Sequence, residues 1–285
     1  MIKELDLRHA FSKMLCVSNN VHFARIFDLS VTSAFQPILH KNGTLLGYEA
    51  LIRPFQNGEL ASTDVFLNQM RSSANIAFVD RLIRALHLRN FSLLNEQSQY
   101  LFLNYEYESI TDLHDIEAYK NLLINRKKEL GIDDTKVVIE VLEHDVSSER
   151  NLKIMSNWHR QHHGILVAMD DMTDRREDWL RLTSIQPEIV KIDISMLQSP
   201  NYQRFVHRLK QFNLQILQEG IETAEQKEMA INAGVDLLQG YYIGYPTLIE
   251  QIKNKKRPKD NQARCFNSPK NEQLSSIQVD HQSSS

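Results

Sequence analysis

Ile165-Leu166-Val167-Ala168-Met169-Asp170-Asp171 is an apolar run closed by two adjacent carboxylates. Its length is that of a buried strand, and the paired acids mark where burial stops. The same design recurs at Ser33–His40, Tyr100–Asn104, Lys136–Glu140, Ile189–Asp193, Leu214–Glu219 and Asp236–Gln239. The segments between these runs read as helices. Ile76, Val79, Ile83 and Leu86 form one apolar stripe at helical spacing. Thr223 with Gln226 fits a capping box, and Gly234 fits the end of the same helix. Ser147 or Ser148 is placed to cap the helix carrying Leu152, Met155 and Trp158. Alternating strands and helices predict an α/β fold with a largely parallel sheet. The number of units predicts a closed, TIM-like (β/α)8 barrel, whose chemistry sits at the C-terminal ends of the strands.

The chain has 285 residues, 42% hydrophobic and 24% charged, as in an ordinary globular protein. Its net charge of -3 lacks the basic excess of a nucleic-acid polymer binder, which argues against that class. The two cysteines, Cys16 and Cys265, form no CxxC, so a reducing compartment is expected. Neither a long apolar span nor a signal-peptide pattern is present, which predicts a cytoplasmic protein without membrane insertion. Residues 1–22 read as an N-terminal extension without an assigned role, and the stretch from Met1 to about Leu29 as one or two helices. Residues 23–254 read as a single domain and residues 255–285 as a polar, flexible tail.

Glu49, Glu140, Asp170, Asp171, Glu219 and Glu222 each close or follow an apolar run. Asn104 and Gln239 add amide oxygens, and Lys191 a single ammonium. If the barrel closes, these groups meet at one rim. Carboxylates so crowded repel one another and take up protons unless cations neutralise them. Oxygen donors of this kind suit two Mg²⁺ or Mn²⁺ ions, and one carboxylate of the Asp170-Asp171 pair is suited to bridging them. Such a pair of ions serves phosphodiester hydrolysis.

These segments resemble the EAL family of cyclic di-GMP phosphodiesterases. Tyr48-Glu49-Ala50-Leu51-Ile52-Arg53-Pro54 carries the namesake Glu-Ala-Leu, preceded by Phe35-Gln36-Pro37-Ile38. Phe102-Leu103-Asn104, Val138-Ile139-Glu140-Val141-Leu142-Glu143, Met169-Asp170-Asp171 and Val190-Lys191-Ile192-Asp193 follow in order. Glu219-Gly220-Ile221-Glu222-Thr223 and Leu238-Gln239-Gly240-Tyr241-Tyr242 with Pro246 complete the set. The resemblance implies that Glu49, Asn104, Glu140 and Asp170 hold the first metal, with Asp170 bridging to the second and Asp171 alongside. It gives Lys191 and Glu219 the attacking water, and Glu222 and Gln239 supporting roles. Glu143 would hold the loop after the double Asp, and Gln36, Leu51 and Arg53 would contact the dinucleotide. A guanidinium such as that of Arg53 suits a phosphate. The implied product is linear 5′-pGpG, and a homodimer is implied.

One segment departs from the family. The usual Phe-Gly and Gly- and Ser-rich loop after the double Asp is replaced by Met172-Thr173-Asp174-Arg175-Arg176-Glu177-Asp178-Trp179. Thr173 and Arg175 lack the backbone freedom of glycine, so another loop path is expected, with Arg175 and Arg176 toward solvent. This change keeps open an alternative, a catalytically silent cyclic di-GMP sensor or a protein-interaction regulator. An unidentified regulatory protein is an open partner. The His159, His162, His163 cluster lacks a zinc pattern, and Trp158 and Trp179 read as core or interface residues.

Overall fold

The computed structural model describes residues 4–94, 98–106, 116–141, 149–161 and 165–256. Helix α1 (Glu4–Met14) leads into β1 (Leu15–Ser18), β2 (Val21–Ile26), β3 (Leu29–His40), β4 (Leu45–Gln56) and β5 (Glu59–Leu60). Helices α2 (Thr63–Arg71) and α3 (Ile76–Ser92) precede β6 (Tyr100–Tyr105). Strands and helices then alternate: α4 (Ile116–Glu129), β7 (Val137–Val141), α5 (Glu149–Gln161), β8 (Leu166–Met172), α6 (Arg176–Ile185) and β9 (Ile189–Ile192). After a 3-10 turn (Ile194–Gln198) come α7 (Tyr202–Leu209), β10 (Gln215–Gln218), α8 (Ala224–Ala233), β11 (Leu237–Leu238), β12 (Thr247–Leu248) and α9 (Ile249–Lys256).

The barrel closes in the order β3-β11-β10-β9-β8-β7-β6-β4, with β4 returning to pair with β3. The expected TIM-like barrel is therefore present, with one difference. β3 runs antiparallel to both neighbours, β4 and β11. Its connection to β4, Lys41 to Thr44, is a tight turn closed by the His40 N–H donating to the Thr44 carbonyl at 2.8 Å. Gly43 adopts φ 86° there. So short a link cannot carry the crossover that a parallel pair requires. The His40 end of β3 therefore lies on the face opposite the other strands' C-termini.

The N-terminal stretch also differs from the helices expected of it. After α1 the chain forms an antiparallel ribbon, β1-β2-β3, whose two turns use Asn19 and Asn20, then Phe27 and Asp28, all with positive φ. Two-residue turns of this hand match the twist of the flanking strands. Phe11, Ala24, Ile26 and Val31 share a core with Ile52, Phe66, Met70, Val79 and Leu82. Position 22/23, where the domain was expected to begin, falls inside β2.

α3 is buried on almost every side, not only along its apolar stripe. Asp80, Arg81, Arg84, His87 and Asn90 are all buried. Asn90 caps the ribbon by accepting from the His22 N–H at 2.9 Å and donating to the His22 carbonyl at 3.0 Å. The capping box at Thr223 and Gln226 is present, and Gly234 ends α8 at φ 101°. Ser147 and Ser148 lie outside the described residues.

Candidate functional site

Strand periodicity assembles the site. Ile38, Leu46, Phe102, Val138, Ala168, Ile189, Leu217 and Leu237 form one buried cluster that plugs the barrel. Side chains two positions apart on a strand share a face. Two residues beyond Phe102, Val138, Ala168, Ile189, Leu217 and Leu237 stand Asn104, Glu140, Asp170, Lys191, Glu219 and Gln239. On antiparallel β3 the same step runs backwards, from Ile38 to Gln36, which pairs in register with Glu49. An apolar floor thus carries a polar layer at the mouth.

Lys191 is the hub of that layer and is 1% exposed. Its Nζ lies 2.8 Å from Glu140 Oε1, 2.9 Å from Asp170 Oδ1, 2.8 Å from Glu219 Oε1 and 3.8 Å from Glu49 Oε2. Glu49 is steered by two amides: Asn104 Nδ2 donates at 3.0 Å and Gln239 Nε2 at 2.6 Å. Gln36 donates to the Gly244 carbonyl at 3.2 Å, tying the last loop to β3. Carboxylate oxygens of Asp170, Asp171 and Glu219 lie within 4.8 Å of one another.

Asp171 sits at φ 52°, where β8 shifts register against β9. This bulge turns two consecutive acids toward one site, which a regular strand would send to opposite faces. Asp tolerates the left-handed region better than most residues do.

The electrostatics follow from crowding. Burial works to pull the Lys191 ammonium down, but Asp170, Glu140, Glu219 and Glu49 outweigh it and hold the pKa well above the usual lysine value. Burial pushes Glu140 well above the ordinary carboxylate range, reinforced by Glu49 and opposed by Lys191. Glu219 is driven up in the same way, by burial and then by Asp170. Among the described residues, one ammonium faces five carboxylates, Asp171 included. Glu140 Oε2 and Gln239 Oε1 are buried without a hydrogen-bond partner among the described residues. Hard oxygen donors, excess negative charge and buried unsatisfied oxygens all fit divalent cations.

The other expected residues fall into three groups. Leu51 and Arg53 line a neighbouring cavity of about 270 Å³ with Glu49, Asn104, Asp80 and Arg71. Glu222 is exposed just before the cap of α8, and its backbone N–H donates to Gln226 Oε1 at 2.7 Å. Glu143 lies outside the described residues, as do His162 and His163. His159 is engaged structurally, with Nδ1 3.0 Å from the Ile185 carbonyl and Nε2 3.2 Å from Glu188.

The altered segment after Asp171 is short and internally bonded. Buried Asp178 accepts from the Thr173 N–H at 3.1 Å and from Arg181 at 3.2 Å. Arg181 also donates to the Asp170 carbonyl at 3.1 Å, joining this segment to the backbone of the double Asp. Asp174 accepts from Trp179 Nε1 at 2.8 Å and Arg208 at 2.6 Å. Arg175 and Arg176 are exposed, as expected. Sequence reasoning missed Asp178 and Arg181, since acid–base pairs three apart on a helix are usually solvated; the one available signal was their place on the helix that follows the double Asp.

The family model described as the EAL domain matches residues 28–246. The chain belongs to the EAL domain family. Among curated EAL relatives, the uncharacterized EAL-domain containing protein YkuI of Bacillus subtilis is 25% identical over 228 residues, 75% of this chain and 55% of YkuI. Cyclic di-GMP phosphodiesterase PdeL of Escherichia coli is 30% identical over 140 residues, 45% of this chain and 38% of PdeL. The chain therefore spans about half the length, or less, of these relatives. The manganese and cyclic di-GMP complex of BlrP1 from Klebsiella pneumoniae has the same fold, with a TM-score of 0.65 and 22% identity, covering 77% of this chain and 56% of BlrP1. No described helix is long and apolar enough to cross a membrane.

Proposed function

We propose that this EAL domain hydrolyses cyclic di-GMP to linear 5′-pGpG with two bound Mg²⁺ or Mn²⁺ ions. The observation that carries the proposal is the single polar layer formed by Glu49, Asn104, Glu140, Asp170, Lys191 and Glu219 above the apolar floor. Glu49, Asn104, Glu140 and Asp170 would hold one cation, and Asp170 with Asp171 the other. When bound, such ions acidify a water and stabilise the charge on the leaving oxygen.

The chain's own groups supply the remainder. Lys191 stays protonated, so it serves as a fixed positive charge and hydrogen-bond donor at the attacked phosphate or the incoming water. Glu219 is the proton acceptor in this reading: its carboxylate lies beside those of Asp170 and Asp171 at the mouth, where bound cations would keep it ionised. Arg53, in the adjoining cavity, offers a fork of donors to the second phosphate. Gln36 and Gln239 fix the wall between β3 and the last loop. A homodimer remains part of this reading, to be checked by light scattering.

The test is incubation of the purified chain with cyclic di-GMP and Mn²⁺, with chromatographic detection of the linear dinucleotide. Turnover lost in both Glu49→Ala and Asp170→Ala supports the reading. Tight binding without turnover supports the second reading, a cyclic di-GMP sensor, which the rebuilt segment Met172 to Trp179 favours. Neither binding nor turnover leaves a protein-interaction regulator.

A further inference from the structure

β8 carries the two adjacent acids of the mouth through an irregular stretch. Met169 pairs with Val190 and Met172 with Ile192, so Asp170 and Asp171 together stand opposite the single residue Lys191. Two residues against one is a bulge, and a bulge takes backbone groups out of the ladder. Asp171 sits in the left-handed region at φ 52°. A residue other than glycine stays there only where its surroundings hold it.

The hold comes from one ion pair on α6. Arg181 Nη2 donates to the Asp170 carbonyl at 3.1 Å, and Arg181 Nη1 donates to Asp178 Oδ1 at 3.2 Å. The other oxygen of that carboxylate, Oδ2, accepts from the Thr173 N–H at 3.1 Å and from the Thr173 hydroxyl. The pair therefore grips the backbone on both sides of Asp171, at residues 170 and 173. Asp178 is 2% exposed and Arg181 4%, so water does not compete for these bonds.

The helix that carries the pair is itself anchored. Leu182 and Ile185 are buried, and the Trp179 ring meets Phe205 edge-on with centroids 5.7 Å apart. Asp178 lies in the first turn of α6, where the helix dipole favours a carboxylate. Thr173 and Arg175 lack the backbone freedom of glycine. Side chains, rather than loose backbone, set the path of this segment.

We propose that Arg181 and Asp178 are positioning residues, which hold the Asp170-Asp171 bulge in the shape that presents both carboxylates to the second cation. Each acts through the backbone of residues 170–173 and not on the substrate. The guanidinium matters by its shape: it forks to a carboxylate and a carbonyl at once, whereas a lysine ammonium in its place is a point charge on a flexible stem. Groups that orient metal ligands are worth about tenfold to a hundredfold in metal affinity. Because the second cation belongs to the paired-cation reading above, the experiment must separate the two claims.

Metal-free full chain is titrated with Mn²⁺ and followed by electron paramagnetic resonance, for wild type, Arg181→Lys and Asp178→Asn, with thermal melting in EDTA alongside. Arg181→Lys keeps a positive charge opposite Asp178, so its melting temperature in EDTA should stay within about 3 °C of wild type. One of the two Mn²⁺ ions should bind it about tenfold more weakly or worse, and the other within about twofold of wild type. Asp178→Asn loosens the other grip and should weaken the same ion. Cyclic di-GMP turnover by Arg181→Lys should need about tenfold more Mn²⁺ for half-maximal rate, with kcat returning to within about threefold of wild type at saturation. Both variants binding two Mn²⁺ ions with wild-type affinity, whatever their melting temperatures, would overturn the positioning role and leave the paired-cation site intact. A wild-type chain that binds no Mn²⁺ would overturn both.

Discussion

Replacing Lys191 with Met removes the ammonium at the centre of the site while nearly keeping side-chain length. Three carboxylate oxygens, from Glu140, Asp170 and Glu219, lie within 2.9 Å of the ammonium. Glu140 is fully buried, and Glu49 stands behind it at 8% exposure. Removing one partner of a buried ion pair costs about 3–5 kcal/mol, because the charge left behind has no water to turn to. Packing loss adds little, since Met fills a similar volume. Lys191→Met should therefore unfold about 3–5 kcal/mol more easily than wild type in guanidinium with EDTA present. Mn²⁺ should then rescue the variant more than the wild type, because the ammonium that repels cations is gone. Saturation at a hundredfold over the dissociation constant stabilises by about 2.7 kcal/mol for one site. Turnover should still fall about a hundredfold or more, since the fixed charge at the reacting phosphate is lost. A stability loss under about 1 kcal/mol in EDTA, or no response of the variant to Mn²⁺, would refute the reasoning.

Buried His87 contacts Ser33 Oγ through Nδ1 at 2.8 Å, and burial, with Arg84 adding to it, lowers its pKa to about 3. The folded value lies below the unfolded one, so this stability is complete above about pH 6.5 and is lost as pH falls toward 3. Urea unfolding should show a loss of roughly 2 kcal/mol between pH 7 and pH 5, and His87→Gln should flatten that slope. Asp171→Asn keeps a residue that accepts φ 52°, so its melting temperature should stay near wild type while cyclic di-GMP turnover drops about a hundredfold. Gly240→Ala places a Cβ against the Ile221 backbone at φ 151°, and calorimetry should show destabilisation of about 3 kcal/mol.

The barrel and its acidic mouth were readable because the apolar run at each barrel strand from β6 onward, even two-residue β11, leads within a residue or two to a polar donor. Period-two spacing carries more than those endings alone: Phe102 to Asn104, Val138 to Glu140 and Ile189 to Lys191 put floor and site on one face. The direction of β3 was hidden. Its run looks like the others, and only Asn42-Gly43, a hairpin signal, reveals that no crossover helix follows. The ribbon at Leu15 to Ile26 was missed because its turns rest on Asn-Asn and Phe-Asp, with Phe27 adopting a positive φ that few sequences announce. Buried polar groups were the least legible. Asp80, Arg84 and His87 lie on a helix whose apolar stripe suggests a solvated far side, and only tertiary packing reveals that α3 is enclosed.

Counting bound Mn²⁺ by electron paramagnetic resonance, on metal-free protein titrated to saturation, addresses the polar layer directly. Two ions per wild-type chain, and fewer than one in Asp170→Ala, is the expected result. A wild-type chain that retains no Mn²⁺, or an Asp170→Ala variant that binds as many ions as wild type, would contradict the assignment of this mouth as a paired-cation site.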